Sequence, residues 1–161
     1  MKIGVISDTH IPMNCDRLPE KVLKELKNCD LIVHAGDIVE MSLIYELERY
    51  APVKAVSGNM DGRDVKARLP ITLLFDAGGK KIGVVHGDGS GEFIPEKLTG
   101  YFDGVPDIII FGHSHKPVNS KYGNVLYFNP GSATDRVCAA CRSFGVIEIE
   151  NGEIKAEIIK L

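Results

Sequence analysis

The sequence predicts an α/β fold in which two mixed β-sheets lie inside and helices cover them outside. Three observations carry this expectation. Short, fully apolar runs alternate with helical stripes over roughly the first seventy residues. Paired strands joined by glycine-containing turns follow. Polar residues of a few recurring types stand just beyond five of the apolar runs.

The elements follow in chain order. Residues 2–7 form an apolar run of strand length. Pro19 suits the first turn of a helix, because its missing N–H would be unpaired there anyway. Val22, Leu23 and Leu26 then give an apolar stripe, with Lys21, Lys24, Glu25 and Lys27 outside it. Residues 31–34 read as a second strand. Met41, Leu43, Ile44 and Leu47 predict a second helix ending near Pro52, and residues 53–56 a third strand. Such alternation builds parallel sheets buried on both faces, which is why these strands are apolar throughout rather than at every second residue.

The pattern changes after Leu69. Residues 71–75 and 81–85 flank Gly78-Gly79 as a hairpin. A helix is expected over 95–102 and an apolar strand over 108–111. Residues 116–122 and 125–128 flank Gly123-Asn124, and residues 143–150 and 153–159 flank Asn151-Gly152. Asn-Gly accepts the positive φ angles of a type I′ turn, so the last pair is expected to be a tight hairpin.

The 161 residues fit one domain, 1–161, and 44% hydrophobic with 25% charged residues is the balance of a folded chain. The net charge of -3 argues against a broad nucleic-acid footprint, without excluding a phosphate ligand neutralised by bound cations. No window approaches the roughly 18 apolar residues of a membrane span. No export signal precedes the first strand, so a cytoplasmic protein is expected. Exposed sheet edges would permit a homodimer. Cys138 and Cys141 form a C-x-x-C, but Cys15 and Cys29 do not supply a second pair at matching spacing. The C-x-x-C pair therefore reads as two small residues near a strand rather than as a zinc or redox motif.

The chemistry lies at the strand ends. Asp8 and His10 follow the first strand, Asp37 the second, Asn59 the third, His86 the strand ending at Val85, and His113 and His115 the strand ending at Phe111. In an open α/β sheet, ligands bind outside the carboxyl ends of the strands, so neighbouring strands would bring these loops together. Carboxylate, imidazole and amide oxygen together suit Mn, Fe, Zn or Ni. Seven donors exceed the needs of one tetrahedral ion and suit two cations that share a carboxylate. No G-x-x-x-x-G-K-[ST] or G-x-G-x-x-G motif competes. Each cluster alone is an ordinary turn or helix-cap pattern; the weight comes from the ordered set, which takes four of the five histidines.

That ordered set, Asp8-Thr9-His10, Gly36-Asp37, Gly58-Asn59-Met60-Asp61, His86 and Gly112-His113-Ser114-His115, resembles the calcineurin-like metallophosphoesterase superfamily. Asn129-Pro130-Gly131-Ser132 followed by Arg136 resembles its compact prokaryotic phosphodiesterase branch. The resemblance implies a four-layer α/β/β/α sandwich and two divalent metal ions, manganese first, with iron, zinc or nickel as alternatives. Asp8, His10 and His115 would hold one ion and Asn59, His86 and His113 the other, with Asp37 bridging. Asp37, Asn59 and His86 would act most directly in catalysis. The implied activity is hydrolysis of a small phosphate ester, a diester first, by a metal-bridging hydroxide. The alternatives are a phosphomonoesterase or nucleotide pyrophosphatase, or a non-catalytic interaction scaffold like the retromer subunit of this fold.

Two positions depart from the family pattern. Met60 stands where many members have a histidine, and a thioether cannot donate a proton. Asp88 stands where compact members often have a second histidine, and reads either as a turn residue or as a carboxylate tuning the site. His34 is expected to end its strand or to support Asp37, and Asp61 to brace the Asn59 loop. Arg136 is either a surface residue or a contact to a substrate phosphate.

Overall fold

The computed structural model describes residues 1–89, 92–136 and 141–161. Among them the elements run β1 (Lys2–Ile6), α1 (Glu20–Leu26), β2 (Leu31–His34), α2 (Met41–Leu47), β3 (Val53–Ala55), α3 (Arg63–Arg68), β4 (Thr72–Ala77), β5 (Lys80–Val85), α4 (Pro95–Thr99), β6 (Ile108–Ile110), β7 (Val118–Tyr122), β8 (Val125–Asn129), β9 (Ser143–Glu150) and β10 (Glu153–Lys160). Cys138 of the C-x-x-C lies outside the described residues, and Cys15, Cys29 and Cys141 are free thiols.

The strands form two mixed sheets, ordered β10-β9-β1-β2-β3 and β4-β5-β6-β8-β7. In the first, β1, β2 and β3 run parallel while β9 and β10 pair antiparallel. In the second, β5, β6 and β8 run parallel with antiparallel β4 and β7 at the edges.

Three apolar clusters separate four layers. Ile3, Val5 and Val33 from the first sheet meet Ile82, Ile108, Ile110 and Phe128 from the second, forming the core between the sheets. The alternate residues Ile6 and Ile32 face outward onto Val22, Leu26, Leu43, Leu47 and Val65 of the first three helices. Ile109 and Phe111 face the other way onto Leu98 of α4. Both faces of the central strands are thus buried, as their unbroken apolar runs require.

The register decides where the loops emerge. Ile6 pairs with His34 and His34 with Ala55, so β1, β2 and β3 end level with one another. Val84 pairs with Ile110 and Ile110 with Phe128, so β5, β6 and β8 do the same. A one-residue slip would turn every inward side chain outward, and the buried clusters on both faces forbid it.

Most sequence expectations agree with these elements, and the differences have local causes. Helix α3 was not expected: it buries only Val65, too little to write an apolar stripe. Helix α4 stops at Thr99, short of the expected residue 102, with Gly100 next and the Thr99 hydroxyl turned back onto the Pro95 carbonyl. The Asn151-Gly152 turn has φ of 51° and 82°, as type I′ geometry demands. Cys29 is buried, and loss of solvent pushes its thiol up to about 11, so it is an unreactive core residue.

Phe128 is fully buried between the sheets. Phe128→Ala should lower unfolding free energy by about 3–5 kcal/mol, measured by urea denaturation. A loss below about 1 kcal/mol would contradict the packing described.

Candidate metal centre

All seven residues singled out in the sequence lie at one place, where the level ends of β1, β2 and β3 meet those of β5 and β6. Asp8, His10, Asp37 and His86 are buried, while Asn59 is exposed and His113 and His115 are half-buried. The cluster therefore has a closed base and an open rim on the Asn59 and His113 side.

The donor atoms converge closely. His115 Nε2 lies 3.3 Å from Asp8 Oδ1 and 3.3 Å from His10 Nε2. Asn59 Oδ1 lies 3.0 Å from His86 Nε2 and 2.9 Å from His113 Nδ1. Asp37 Oδ2 stands between the two groups, 3.6 Å from His10 Nε2 and 3.3 Å from His86 Nε2. Donor atoms of Asp8, His10 and His115, and of Asp8, Asp37 and His86, lie within 4.8 Å of one another in each set. With metal–donor bonds of about 2.0–2.2 Å, neighbouring donors around one ion stand about 3–3.5 Å apart. The measured separations fit that spacing.

Three of the four imidazoles are aimed by what holds their other nitrogen. His86 Nδ1 donates to the Ala35 carbonyl at 2.7 Å, leaving Nε2 to face the cluster. His113 Nε2 donates to the Gly89 carbonyl at 3.1 Å, leaving Nδ1 to face it. His115 Nδ1 donates to the Asp135 carboxylate. Metal-binding histidines are characteristically oriented in this way. Sequence reasoning missed Asp135. A carboxylate twenty positions beyond a histidine carries no local signal, because the contact exists only once the loop after β8 folds back.

The carboxylates are held as firmly. Asp8 accepts hydrogen bonds from the Ser7 hydroxyl at 2.6 Å and the His113 N–H at 3.1 Å, and Asp37 from the Met60 N–H at 2.7 Å. Asp61 braces the Asn59 loop as expected: it accepts from the Ile38 and Val39 N–H groups and from the Gly58 N–H, tying the loops after β2 and β3 together. Asn129 donates to the Gly112 carbonyl, and Ser132 donates to the Asp8 carbonyl. The Asn129-to-Ser132 segment thus binds loops from both sheets. Arg136 is exposed.

Local backbone shape serves the same end. Asp8, His10, Asp37, His113 and His115 have φ between 45° and 68°, a left-handed conformation that costs a non-glycine residue roughly 1–2 kcal/mol. Interlocking backbone bonds, Asp8 N–H to Gly36 O and His10 N–H to Asp37 O, both 3.0 Å, hold it in place. Gly58 is required for a different reason: a Cβ there would overlap Asp37 Oδ1.

The electrostatics follow from two buried carboxylates. Burial pushes the Asp37 carboxyl up, but His86, the Met60 N–H and His10 outweigh it and leave it below the usual carboxylate range. The Asp8 carboxylate, assisted by Asp135, pushes His115 up to about 9 against the effect of burial. Burial pulls His86 down, but Asp37 and Asp8 leave it raised. His34 is the opposite case, held down to about 3 by complete burial. Its Nδ1 accepts the Gly36 N–H at 3.2 Å while Nε2 lies 2.9 Å from the Thr9 hydroxyl, so a second ring proton would confront a donor.

Comparisons with known proteins agree with this geometry. The sequence model of the calcineurin-like phosphoesterase superfamily domain matches residues 1–152. A protein of Methanothermobacter thermautotrophicus named a probable metallophosphoesterase is 37% identical over 99% of this chain and 92% of its own. Among solved structures, Entamoeba histolytica Vps29 in complex with Zn2+ is 27% identical with a TM-score of 0.78, covering 99% of both chains. An archaeal protein described as a phosphodiesterase is 25% identical with a TM-score of 0.76, covering 99% of this chain and 100% of its own.

Gly58→Ala should weaken metal binding by about 10–100-fold, read by calorimetric titration, because the added methyl displaces the Asp37 carboxylate. Unchanged affinity would contradict the role given to Gly58. His34→Gln tests the buried imidazole. Below about pH 6.5 the unfolded chain protonates His34 while the folded chain does not until about 3, so the wild-type's advantage shrinks as pH falls. The stability gap to His34→Gln in urea denaturation should narrow from pH 7 to pH 5; a constant gap would contradict it.

Proposed function

Since the chain belongs to the calcineurin-like phosphoesterase superfamily, we propose that it is a phosphodiesterase working with two divalent cations held by Asp8, His10, Asp37, Asn59, His86, His113 and His115. The observation that supports this best is the position of Asp37 Oδ2, within 3.6 Å of a donor from each half of the cluster. Asp8, His10 and His115 would complete one half and Asn59, His86 and His113 the other, with Asp37 common to both. The mixed oxygen and nitrogen set suits manganese, with iron, zinc or nickel as alternatives. The structural likeness to a zinc-bound Vps29 supports occupancy by a transition metal.

When bound, such a pair of ions activates water as a nucleophile and neutralises charge on the phosphoryl oxygens. The protein's own contribution is orientation. The backbone carbonyls of Ala35 and Gly89 keep the inner nitrogens of His86 and His113 free to act as donors. The buried base restricts approach, so the ester enters from the rim at Asn59 and His113. Asp37, Asn59 and His86 would act most directly, a reading supported by His86 Nε2 lying 3.3 Å from Asp37 Oδ2 and 3.0 Å from Asn59 Oδ1.

The preference for diesters rests on likeness to the archaeal phosphodiesterase. A non-catalytic scaffold is the second reading, favoured by the similarity to Vps29, but the complete donor set supports an enzyme. Met60 has a half-exposed thioether and contributes its backbone N–H to Asp37, so it has no proton for a leaving group. Nitrophenyl phosphodiesters should therefore be hydrolysed at least about 100-fold faster than alkyl diesters, and chelation should abolish turnover. No hydrolysis of any mono- or diester by the metal-loaded protein would overturn the enzymatic reading.

A further inference from the structure

Two cavities flank the His86 and His113 side of the cluster, and their sizes differ enough to decide between them. One, against Phe111, Leu98 and His113, has a volume of about 30 Å³, room for one or two waters. The other has a volume of about 370 Å³, within the range of small-ligand sites. Asn59 and His86 close its inner end, so it is continuous with the cluster.

Its walls combine three chemical characters. Ile71, Val85 and Tyr101 give it apolar and aromatic surface. Ile71 is 71% exposed, a large apolar side chain left in water at the mouth of the cleft, and Met60 beside Asn59 is 49% exposed. Lys66 from α3 is the one cation lining it among the described residues, with Nζ fixed 2.8 Å from the Asn59 carbonyl. An ammonium has three donors, so two remain for a ligand. Asp88 lines the other side, where burial and then the nearby Asp88 carboxylate raise the Tyr101 hydroxyl above its usual range.

We propose that this cleft receives the organic group of the phosphate ester and selects a flat apolar group, such as an aryl ring or nucleobase, over a small alkyl one. The inference rests on the metallophosphoesterase reading and names the substrate class it would serve. An ester anchored by its phosphate at Asn59 and His86 can extend from the rim into this cleft, whereas the smaller cavity has no room for an organic group. A flat group there would cover Ile71 and lie against Tyr101, removing apolar surface from water. Lys66 would face the acceptor atoms on the edge of that group, and the Asp88 carboxylate would disfavour a second negative charge on it.

Binding of stable phosphonates to the metal-loaded protein tests this without turnover. Monomethyl phenylphosphonate should bind at least about tenfold more tightly than monomethyl methylphosphonate, measured by calorimetry. Ile71→Ser, at an exposed position that folding tolerates, should cut that preference to about threefold or less, and Lys66→Met should weaken binding of a monomethyl pyridylphosphonate more than of the phenyl compound. Equal affinity for the phenyl and methyl compounds in the wild-type protein would overturn the subsite while leaving the metallophosphoesterase reading intact. An undiminished preference in Ile71→Ser would also overturn it. Failure of either phosphonate to bind, together with no hydrolysis, would overturn the underlying reading as well.

Discussion

Two carboxylates buried side by side at the junction of two sheets govern the rest of this structure. Asp8 is 0% exposed and Asp37 2%. Ionised carboxylates taken out of water are costly unless paired with positive charge or rich hydrogen bonding. The surrounding residues answer that demand. His10, His86 and His115 turn a nitrogen toward the carboxylates, backbone N–H groups of Met60 and His113 reach them, and His86 and His115 hold protons more tightly than usual. A pair of divalent cations meets the same demand better, because it supplies four positive charges at one point.

The fold is arranged to place that demand where substrate can reach it. Parallel strands that end level carry their following loops to one height, and two such sets facing each other close a ring of loops around the carboxylates. The segment from Asn129 to Ser132 fastens the ring by bonding to loops from both sheets. Left-handed backbone at five of the seven cluster residues is strain that isolated loops would relax. Here it is maintained by loop-to-loop hydrogen bonds and by glycines that leave room for carboxylates.

Much of this was legible in the sequence, for physical reasons. Strands buried on both faces must be apolar throughout, so 31–34 and 108–110 could be read with nearly correct bounds. Asp and His after one such run are ordinary turn residues, but their recurrence after five runs made the cluster visible. Helix α3 was invisible because one buried valine writes no periodic stripe, yet it carries Lys66 to the cleft beside Asn59. Asp135 was equally hidden, because its pairing with His115 depends on a loop closure that no local pattern encodes. His34 could be placed near Asp37 but not assigned a protonation state, since that follows from the Gly36 N–H and complete burial together.

The chemistry ascribed to the site depends on Asp37 being shared by two cations, rather than on the identity of the metal or ester. Anomalous diffraction from a crystal of the manganese-loaded protein addresses this directly. Two peaks are expected about 3.5–4 Å apart, one beside Asp8, His10 and His115 and the other beside Asn59, His86 and His113, with the Asp37 carboxylate touching both. A single peak, or two peaks of which only one contacts Asp37, would contradict that sharing.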